Sequence, residues 1–320
     1  MNKTKISMLF YMVESFIYKI SKRSPIKFYR RKHYNRNIIL STEEGRDKIV
    51  ELVKSGKPFM VGRYGTSEGR ALIEYHKIHA GLQNNYSKVV MKELCCNAGF
   101  FPDNPQIIDK WGELLSELSD QCDVYGVMNF TCEGWAVKNL LRNDVVLMPN
   151  AGIASGKYGY MHCLKDKKVL VVSPMVKTIE SQYQKRELLF PDTNVLPEFK
   201  LITYKAINTQ ADEVDERFET WIDALDYMTN EISQIDFDIA LVGCGAYGFP
   251  LAARIKMMGK QAIHMGGAVQ HVFGIKSARG ELIPSTYKDY NEHWVYPDES
   301  ERPKGSEKIE GGCYWAPIKK

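Results

Sequence analysis

Apolar residues recur through most of the chain as short continuous runs, separated by longer stretches with helical spacing. The clearest runs are 58–62, 169–172 and 239–242, each bounded by glycine, proline or polar residues. Runs of this length are typical of strands that are buried on both faces of a parallel sheet. Between such runs, 43–54 and 217–235 place apolar residues three and four positions apart, which predicts amphipathic helices.

The other predicted elements continue this alternation. The further strands are 124–128, 145–148, 201–205 and 261–265, and the further helices are 69–79, 102–120, 131–141, 178–190 and 249–258. Alternating strands and helices with short connections predict an α/β fold with a doubly wound, mostly parallel Rossmann-like sheet and helices on both faces. We assign this domain to 38–276. Residues 277–320 are polar with scattered Trp and Tyr, which predicts an extended or partly ordered tail.

The stretch from Phe237 to Gln270 has the most informative pattern. Its pattern predicts a strand, a turn, a helix and a second strand. The turn has the spacing G-x-G-x-x-G at Gly243, Gly245 and Gly248. The second strand ends at Gly266-Gly267. Such a turn brings backbone N–H groups and a helix N-terminus against a phosphate, which favours a nucleotide or nucleotide-sugar site. The alternative is a turn whose glycines only pack the helix onto the sheet.

Polar residues follow several of the predicted strands. In a doubly wound sheet, ligands bind outside the carboxyl ends of the strands. The junctions at such ends are Arg63 to Glu68, Asn129 to Glu133, Ser173-Pro174, Gly243 to Gly248 and His264 to Gln270. If these junctions converge, one cleft contains carboxylates, a cation, an imidazole and a glycine-rich turn.

The candidate catalytic residues are Glu68, as a metal ligand or a base, and His264, with Glu133 as a candidate second carboxylate. Each has a structural alternative, because the helix dipole favours a carboxylate near a helix start and a histidine after a strand can be a core residue. Arg63 can likewise be an ordinary ion-pair partner. The candidate donor-binding residues are Arg63, Gly65, Thr66, Gly243, Gly245, Tyr247, Gly248, Gly266, Gly267 and Gln270.

The end of the second strand argues against a dinucleotide. An NAD-type unit has an acidic residue about 20 positions after the first glycine, where it binds the ribose hydroxyls. His264 occupies that place, and no Asp or Glu lies near it. An NAD(P)-dependent oxidoreductase is therefore the alternative hypothesis. The absence of a Walker A lysine pattern argues against a P-loop NTPase.

Two motifs, in this order along the chain, resemble bacterial glycosyltransferases of the GT-D type. The first is Arg63 to Glu68 after an early strand, and the second is Gly243 to Lys256 followed by Ala262 to Gly267. The resemblance spans roughly 40–276. It implies a single Rossmann-like domain, a nucleotide-diphosphate sugar as donor, and transfer to a glycan, glycolipid or glycoprotein acceptor in cell-surface polysaccharide or glycoprotein assembly.

The resemblance also implies a divalent metal, with one departure. In better-known members an Asp-x-Glu motif at the first junction holds the metal, whereas Thr66 replaces the aspartate here and Glu68 is retained. Fewer carboxylates weaken a site for a hard cation. Either Mn²⁺ or Mg²⁺ binds at Glu68, or Arg63 and backbone N–H groups neutralise the diphosphate. A non-catalytic subunit of a glycan-assembly complex is a further alternative.

Charge is unevenly spread over the 320 residues. Residues 1–37 hold ten Lys or Arg against Glu14, a net +9, and the remainder holds 33 basic and 38 acidic residues, a net −5. Within this N-terminal arm, 6–20 has helical apolar spacing but is too short to span a bilayer. Such a helix beside a basic cluster fits an anionic membrane surface, or it docks on the body or on a second subunit. The arm contains no recognisable nucleic-acid-binding module, so no nucleic-acid partner is expected.

The cysteines indicate the compartment. Seven cysteines form no C-x-x-C pair and no zinc spacing, which fits a reduced cytosolic setting. No small-residue cleavage site follows the apolar segment, which argues against a signal peptide. We therefore expect a cytoplasmic protein, associated peripherally with the inner face of the membrane through its arm.

Overall fold

A seven-stranded parallel sheet forms the centre of the protein. The computed structural model describes residues 3–21, 39–154, 159–190, 192, 194–283 and 287–316, with the side chains of helix 3–21 described through residue 17. The strand order is β3-β2-β1-β7-β6-β4-β5, and every adjacent pair is parallel. The strands are β1 Phe59–Gly62, β2 Val124–Val127, β3 Val146–Pro149, β4 Lys168–Ser173, β5 Lys200–Lys205, β6 Ile239–Val242 and β7 Gln261–His264.

Helices connect the strands and cover the sheet. In the described part of the chain they are α1 Lys3–Ser21, α2 Thr42–Ser55, α3 Thr66–His79, α4 Lys88–Lys92, α5 Pro105–Leu118, α6 Glu133–Leu140, α7 Asn150–Ala154, α8 Val176–Tyr183, α9 Arg186–Leu189, α10 Trp221–Ser233, α11 Gly248–Met257, α12 Val269–Val272 and α13 Ala278–Glu281.

The strands other than β5 bury side chains on both faces, which explains the continuous apolar runs, whereas β5 at the edge of the sheet is only half-buried. In β4, Leu170 and Val172 join a core cluster that includes residues of α3, α5, α6, α10 and α11. Val169 and Val171 join a second cluster that includes residues of α2, α7, α8 and α9. Successive side chains of a strand point to opposite faces. The predicted doubly wound α/β fold is therefore confirmed.

Local signals fix several helix ends. Ser41 and Glu44 form the predicted capping box at the start of α2, with Glu44 N donating to Ser41 Oγ at 3.2 Å. A second capping box, Thr220 with Asp223, starts α10 later than the apolar spacing predicted. The predicted helix 178–190 is divided into α8 and α9, and Leu189 of α9 is buried in the second core cluster.

The strand order reverses in the middle of the sheet. The chain runs from β1 through β2 to β3 at one edge, crosses to β4 and β5 at the other, and returns with β6 and β7 between the two halves. In open parallel sheets, a crevice forms at the carboxyl edge where the direction of winding changes. The carboxyl ends of β1, β7, β6 and β4 therefore surround the natural ligand position.

The C-terminal tail wraps over one face of the sheet. Trp294, Ile309 and Trp315 are each at most 2% exposed and belong to the second core cluster. Glu301 is also buried, and its carboxylate accepts hydrogen bonds from the backbone N–H groups of Lys177 and Thr178. These N–H groups lie at the start of α8, so Glu301 ties the tail to that helix.

We expect Glu301→Ala to destabilise the docked tail. The substitution leaves the α8 N–H groups without an acceptor, and a loss of about 1–3 kcal/mol follows from the unsatisfied donors. Chemical denaturation and hydrogen exchange of 287–316 measure the effect. The control is Glu299→Ala in the same turn, whose side chain is 75% exposed and pairs with Arg302 at the surface. Equal stability of the two variants would contradict the assignment.

The N-terminal helix is confirmed as α1, and it rests on α6. Met8, Tyr11 and Ser15 are buried, and Ser15 Oγ accepts a hydrogen bond from the backbone N–H of Cys132 at 2.9 Å. The basic cluster that follows lies mostly in 22–38, outside the described residues. Among the helices that the structure describes, none is both long and apolar enough to cross a membrane.

Candidate functional site

A cleft of about 1060 Å³, counting the space that opens to solvent, lies at the carboxyl edge of the sheet. Its wall is built from residues that follow β1, β4, β5, β6 and β7, which is where the reversal of strand order predicts a ligand. The predicted site residues in this wall are Arg63, Gly65, Thr66, Glu68, Gly243, Gly245, Tyr247, Gly266, Gly267 and Gln270.

The junction after β1 presents a helix N-terminus to the cleft. Thr66 and Glu68 lie in the first turn of α3, and Gly65 at the N-cap provides no side-chain cap. The first backbone N–H groups of a helix have no partner within it and favour an anion. A Cβ at Gly65 would lie 2.0 Å from Glu68 Oε2, so glycine is needed where the carboxylate folds back.

Arg63 is the cation nearest to this helix N-terminus in sequence, and its guanidinium lies against Gly266. A Cβ at Gly266 would be 2.2 Å from Arg63 Nη2, and Gly266 has a φ of +59°, which favours glycine. The buried Nε of Arg63 has no hydrogen-bond acceptor among the described residues. A buried donor without an acceptor is costly, so the arrangement suits a ligand that provides one.

Glu68 is the carboxylate of the junction. Burial raises its pKa above the ordinary value, and the positive charge of Arg63 opposes that shift. The side chain remains half-buried in the cleft wall, where it is in reach of a bound molecule. A carboxylate with a raised pKa is a stronger base than an exposed one.

The three turn glycines each have a steric reason within the protein. Gly245 has a φ of +59°, a Cβ at Gly243 would be 2.6 Å from the Gly266 carbonyl oxygen, and one at Gly248 would be 2.2 Å from His264 Nε2. Packing, the alternative interpretation of this turn, therefore accounts for the glycines by itself. Gly243 and Gly245 nevertheless line the cleft, whereas Gly248 does not. Burial raises the pKa of Cys244 to about 12, so this residue of the turn stays a thiol.

His264 lies behind the glycine turn. It is 2% exposed and is not part of the cleft wall. Burial, and then the charge of Arg63, hold its pKa well below the ordinary value, while the Arg63 backbone acts in the opposite direction. Neither ring nitrogen has a partner with normal hydrogen-bond geometry in the described part of the chain. The imidazole is therefore neutral, and it contacts the turn rather than the cleft.

Glu133 is not brought to the cleft either. It is fully buried and accepts hydrogen bonds from Tyr125 Oη at 2.7 Å, Met128 N at 2.9 Å and Asn129 N at 2.5 Å. Asn129 has a φ of +66°, so the carboxylate stabilises a strained turn after β2. This geometry assigns Glu133 a structural role at the start of α6.

The tail contributes side chains to the cleft that the sequence patterns did not identify. A Cβ at Gly267 would be 2.5 Å from Tyr314 Cε1, and the Tyr314 carbonyl accepts a hydrogen bond from Gln270 Nε2 at 2.9 Å. The Arg279 guanidinium lies 5.0 Å from the centre of the Tyr314 ring and pairs with Glu310. The available signal was the presence of Tyr and Trp in an otherwise polar tail, because large aromatic side chains are seldom left in solvent.

The loop after β5 was also missed as a junction. Asn208, Thr209 and Gln210 follow a predicted strand and line the cleft. Gln210 Nε2 donates to Asn97 O at 2.6 Å, which ties this loop to the segment before α5. The other junctions were selected as polar residues that follow a predicted strand, and these three residues meet the same criterion.

The carboxylates near the cleft do not assemble a cation site. In the part of the chain that the structure describes, no group of three or more His, Cys, Asp or Glu side chains is placed to hold a metal ion. Thr66 stands exposed where the resembling family has an aspartate. Mn²⁺ and Mg²⁺ need several oxygen ligands, so Glu68 alone does not form a preorganised site.

In comparisons with known proteins, no family model, no curated protein and no solved structure matches this chain. The chemistry of the cleft is therefore the basis for inferring function.

We expect Gly248→Ala to destabilise the protein through His264. The added methyl group meets the imidazole, and overpacking of this kind costs about 1–3 kcal/mol. His264→Ala removes the obstacle, so the double variant should lose less stability than the sum of the two single variants. Denaturant unfolding of all four proteins measures the coupling. Additive losses would mean that the contact is unimportant.

We also expect Glu68→Gln to stabilise the ligand-free protein at neutral pH. The raised pKa means that the folded state holds the proton more tightly than the unfolded chain, whose ordinary value is 4.5. Ionisation therefore costs stability as the pH rises above that value. The gain in melting temperature should vanish as the pH is lowered towards 4.5. Glu113→Gln, on the exposed face of α5, is the control and should change little at either pH.

Proposed function

We propose that this protein is a glycosyltransferase that moves a sugar from a nucleotide-diphosphate donor to a glycan, glycolipid or glycoprotein acceptor in cell-surface polysaccharide or glycoprotein assembly. One observation carries the proposal. Arg63, the N-terminus of α3 and the glycine turn line a single cleft at the carboxyl edge of the sheet, beside the carboxylate of Glu68. Such a combination suits a diphosphate next to a reacting hydroxyl group.

The cation and the backbone donors bind the diphosphate of the donor. Arg63 offers a planar fork of N–H groups, of which the buried Nε has no acceptor among the described residues. The N–H groups at Thr66 and Ser67 add the positive end of the α3 dipole. Charge-assisted hydrogen bonds are strong, and they become stronger as the leaving diphosphate gains charge.

Glu68 acts as the general base. The acceptor hydroxyl oxygen forms a bond to the anomeric carbon, the bond from that carbon to the diphosphate breaks, and the hydroxyl proton passes to the Glu68 carboxylate. The raised pKa of Glu68 favours this transfer. The nucleoside diphosphate leaves as an anion against Arg63.

His264 contacts the glycine turn on the side away from the cleft, and residues of the tail form part of the cleft wall. The neutral His264 ring positions the turn through Gly248. Tyr314 and Arg279 provide an aromatic face and a partly neutralised cation at the cleft wall, which suit the base or sugar of the donor. The expected Mn²⁺ or Mg²⁺ enters no step, because Glu68 belongs to no cluster of ligands among the described residues.

The proposed location is the cytoplasm. All seven cysteines are free, including those that lie in the core and near the cleft. Free thiols persist where the surroundings are reducing.

Substitutions of Arg63 and Glu68 should separate binding from chemistry. We expect Arg63→Ala to weaken binding of a nucleoside diphosphate about 10- to 100-fold, because a charged hydrogen-bond partner is lost. Glu68→Ala should retain donor binding and lower turnover about 10²- to 10⁴-fold, because the base is removed. Calorimetry with UDP and GDP, and donor-sugar hydrolysis or transfer, measure the two effects, each with and without Mn²⁺ and a chelator.

The control is Arg70→Ala on the same helix. Arg70 is exposed and pairs with Glu93 at 2.7 Å, away from the cleft wall.

Titration with NADH and NADPH tests the oxidoreductase alternative, and tight dinucleotide binding without nucleoside-diphosphate binding would favour it. No turnover with any donor, together with stable association with another protein, would favour a non-catalytic subunit.

A further inference from the structure

Helix α1 has two apolar faces, and the body of the protein covers one of them. Met8 and Tyr11 are at most 3% exposed and pack into the first core cluster. Lys5 Nζ donates to the Gly81 carbonyl at 3.1 Å, and Ser15 Oγ accepts from Cys132 N at 2.9 Å. The helix is therefore held against the body by polar contacts near both ends of its described side chains.

The second apolar face points away from the body. With 3.6 residues per turn, its members lie on roughly the opposite side of the helix from Met8, Tyr11 and Ser15. Phe10 is 63% exposed and Phe16 is 64% exposed. The exposed apolar residues of α1 are Ile6, Leu9, Phe10, Val13, Phe16 and Ile17. A contiguous apolar stripe of this kind is a typical interaction surface.

The charge carried by the sequence of the arm indicates the partner of this stripe. Ten Lys or Arg and one Glu lie in residues 1–37, while the rest of the chain carries a net negative charge. A second copy of this chain would bring a second strongly positive arm to the same surface, and the two would repel. An anionic lipid surface attracts the basic residues and accepts the aromatic stripe among its headgroups.

We propose that the outer face of α1 docks this protein on an anionic membrane surface, while its inner face holds the helix to the body. The stripe enters the interface between headgroups and acyl chains, and the net positive charge of the sequence 1–37 adds electrostatic attraction to anionic lipids. Stable association needs both signals, because a single weak anchor is readily reversible. This surface is independent of the cleft and of the proposed transfer reaction.

Vesicle sedimentation with the full chain tests the proposal. Wild type should bind vesicles of phosphatidylcholine and phosphatidylglycerol in about equal parts and bind phosphatidylcholine alone weakly. Binding should fall when salt is raised to about 0.5 M, because screening weakens the attraction. Phe10→Ser/Phe16→Ser should lower the partition coefficient at least about tenfold, since two exposed aromatic side chains lose their apolar burial.

The matched control is Met257→Ser/Val214→Ser, which removes two apolar side chains that are 63% and 79% exposed elsewhere on the body. It should bind as wild type does. Thermal melts confirm that both double variants are folded, as expected for exposed positions. The proposal is overturned if wild type does not bind anionic vesicles, or if Phe10→Ser/Phe16→Ser binds equally well. It is also overturned if light scattering finds a dimer that this variant converts to a monomer without any vesicle binding by wild type.

Discussion

The close approach of Arg63 to Gly266 joins the two halves of the candidate site. Arg63 follows β1 and Gly266 follows β7, about two hundred positions later in the chain, yet the guanidinium occupies the space where a Gly266 side chain would lie. This contact is possible because β1 and β7 are parallel neighbours whose carboxyl ends reach the same edge. It places a cation between the carboxylate of Glu68 and the glycine turn.

The guanidinium of Arg63 also modifies the pKa values of two neighbouring groups. The positive charge of Arg63 opposes the upward shift in the pKa of Glu68 and contributes to the downward shift in the pKa of His264. Burial is the larger cause of the pKa shift for both residues. Groups held in states that water would not favour cost stability, and proteins concentrate that cost at sites of function.

Most of the fold could be predicted from the sequence, because the spacing of apolar residues and the length of apolar runs directly reflect which side chains are buried. The runs of β1, β4 and β6, the capping box at Ser41 and the alternation of elements all give local signals. The candidate site was only partly predictable. Glu133 and Glu68 both follow a strand and lie at the start of a helix. In the structure, Glu133 accepts three hydrogen bonds within the core, whereas Glu68 faces the cleft. No local sequence pattern distinguishes the two.

The sequence by itself therefore determined the type of sheet and the edge at which polar junctions gather, since both follow from local patterns of burial. The tertiary structure decided which junctions meet. In the folded protein, His264 lies behind the glycine turn, Tyr314 of the tail contacts Gly267, and one face of α1 is exposed. These outcomes depend on contacts between residues far apart in the chain, and such contacts arise from packing and strand order, which no local pattern encodes.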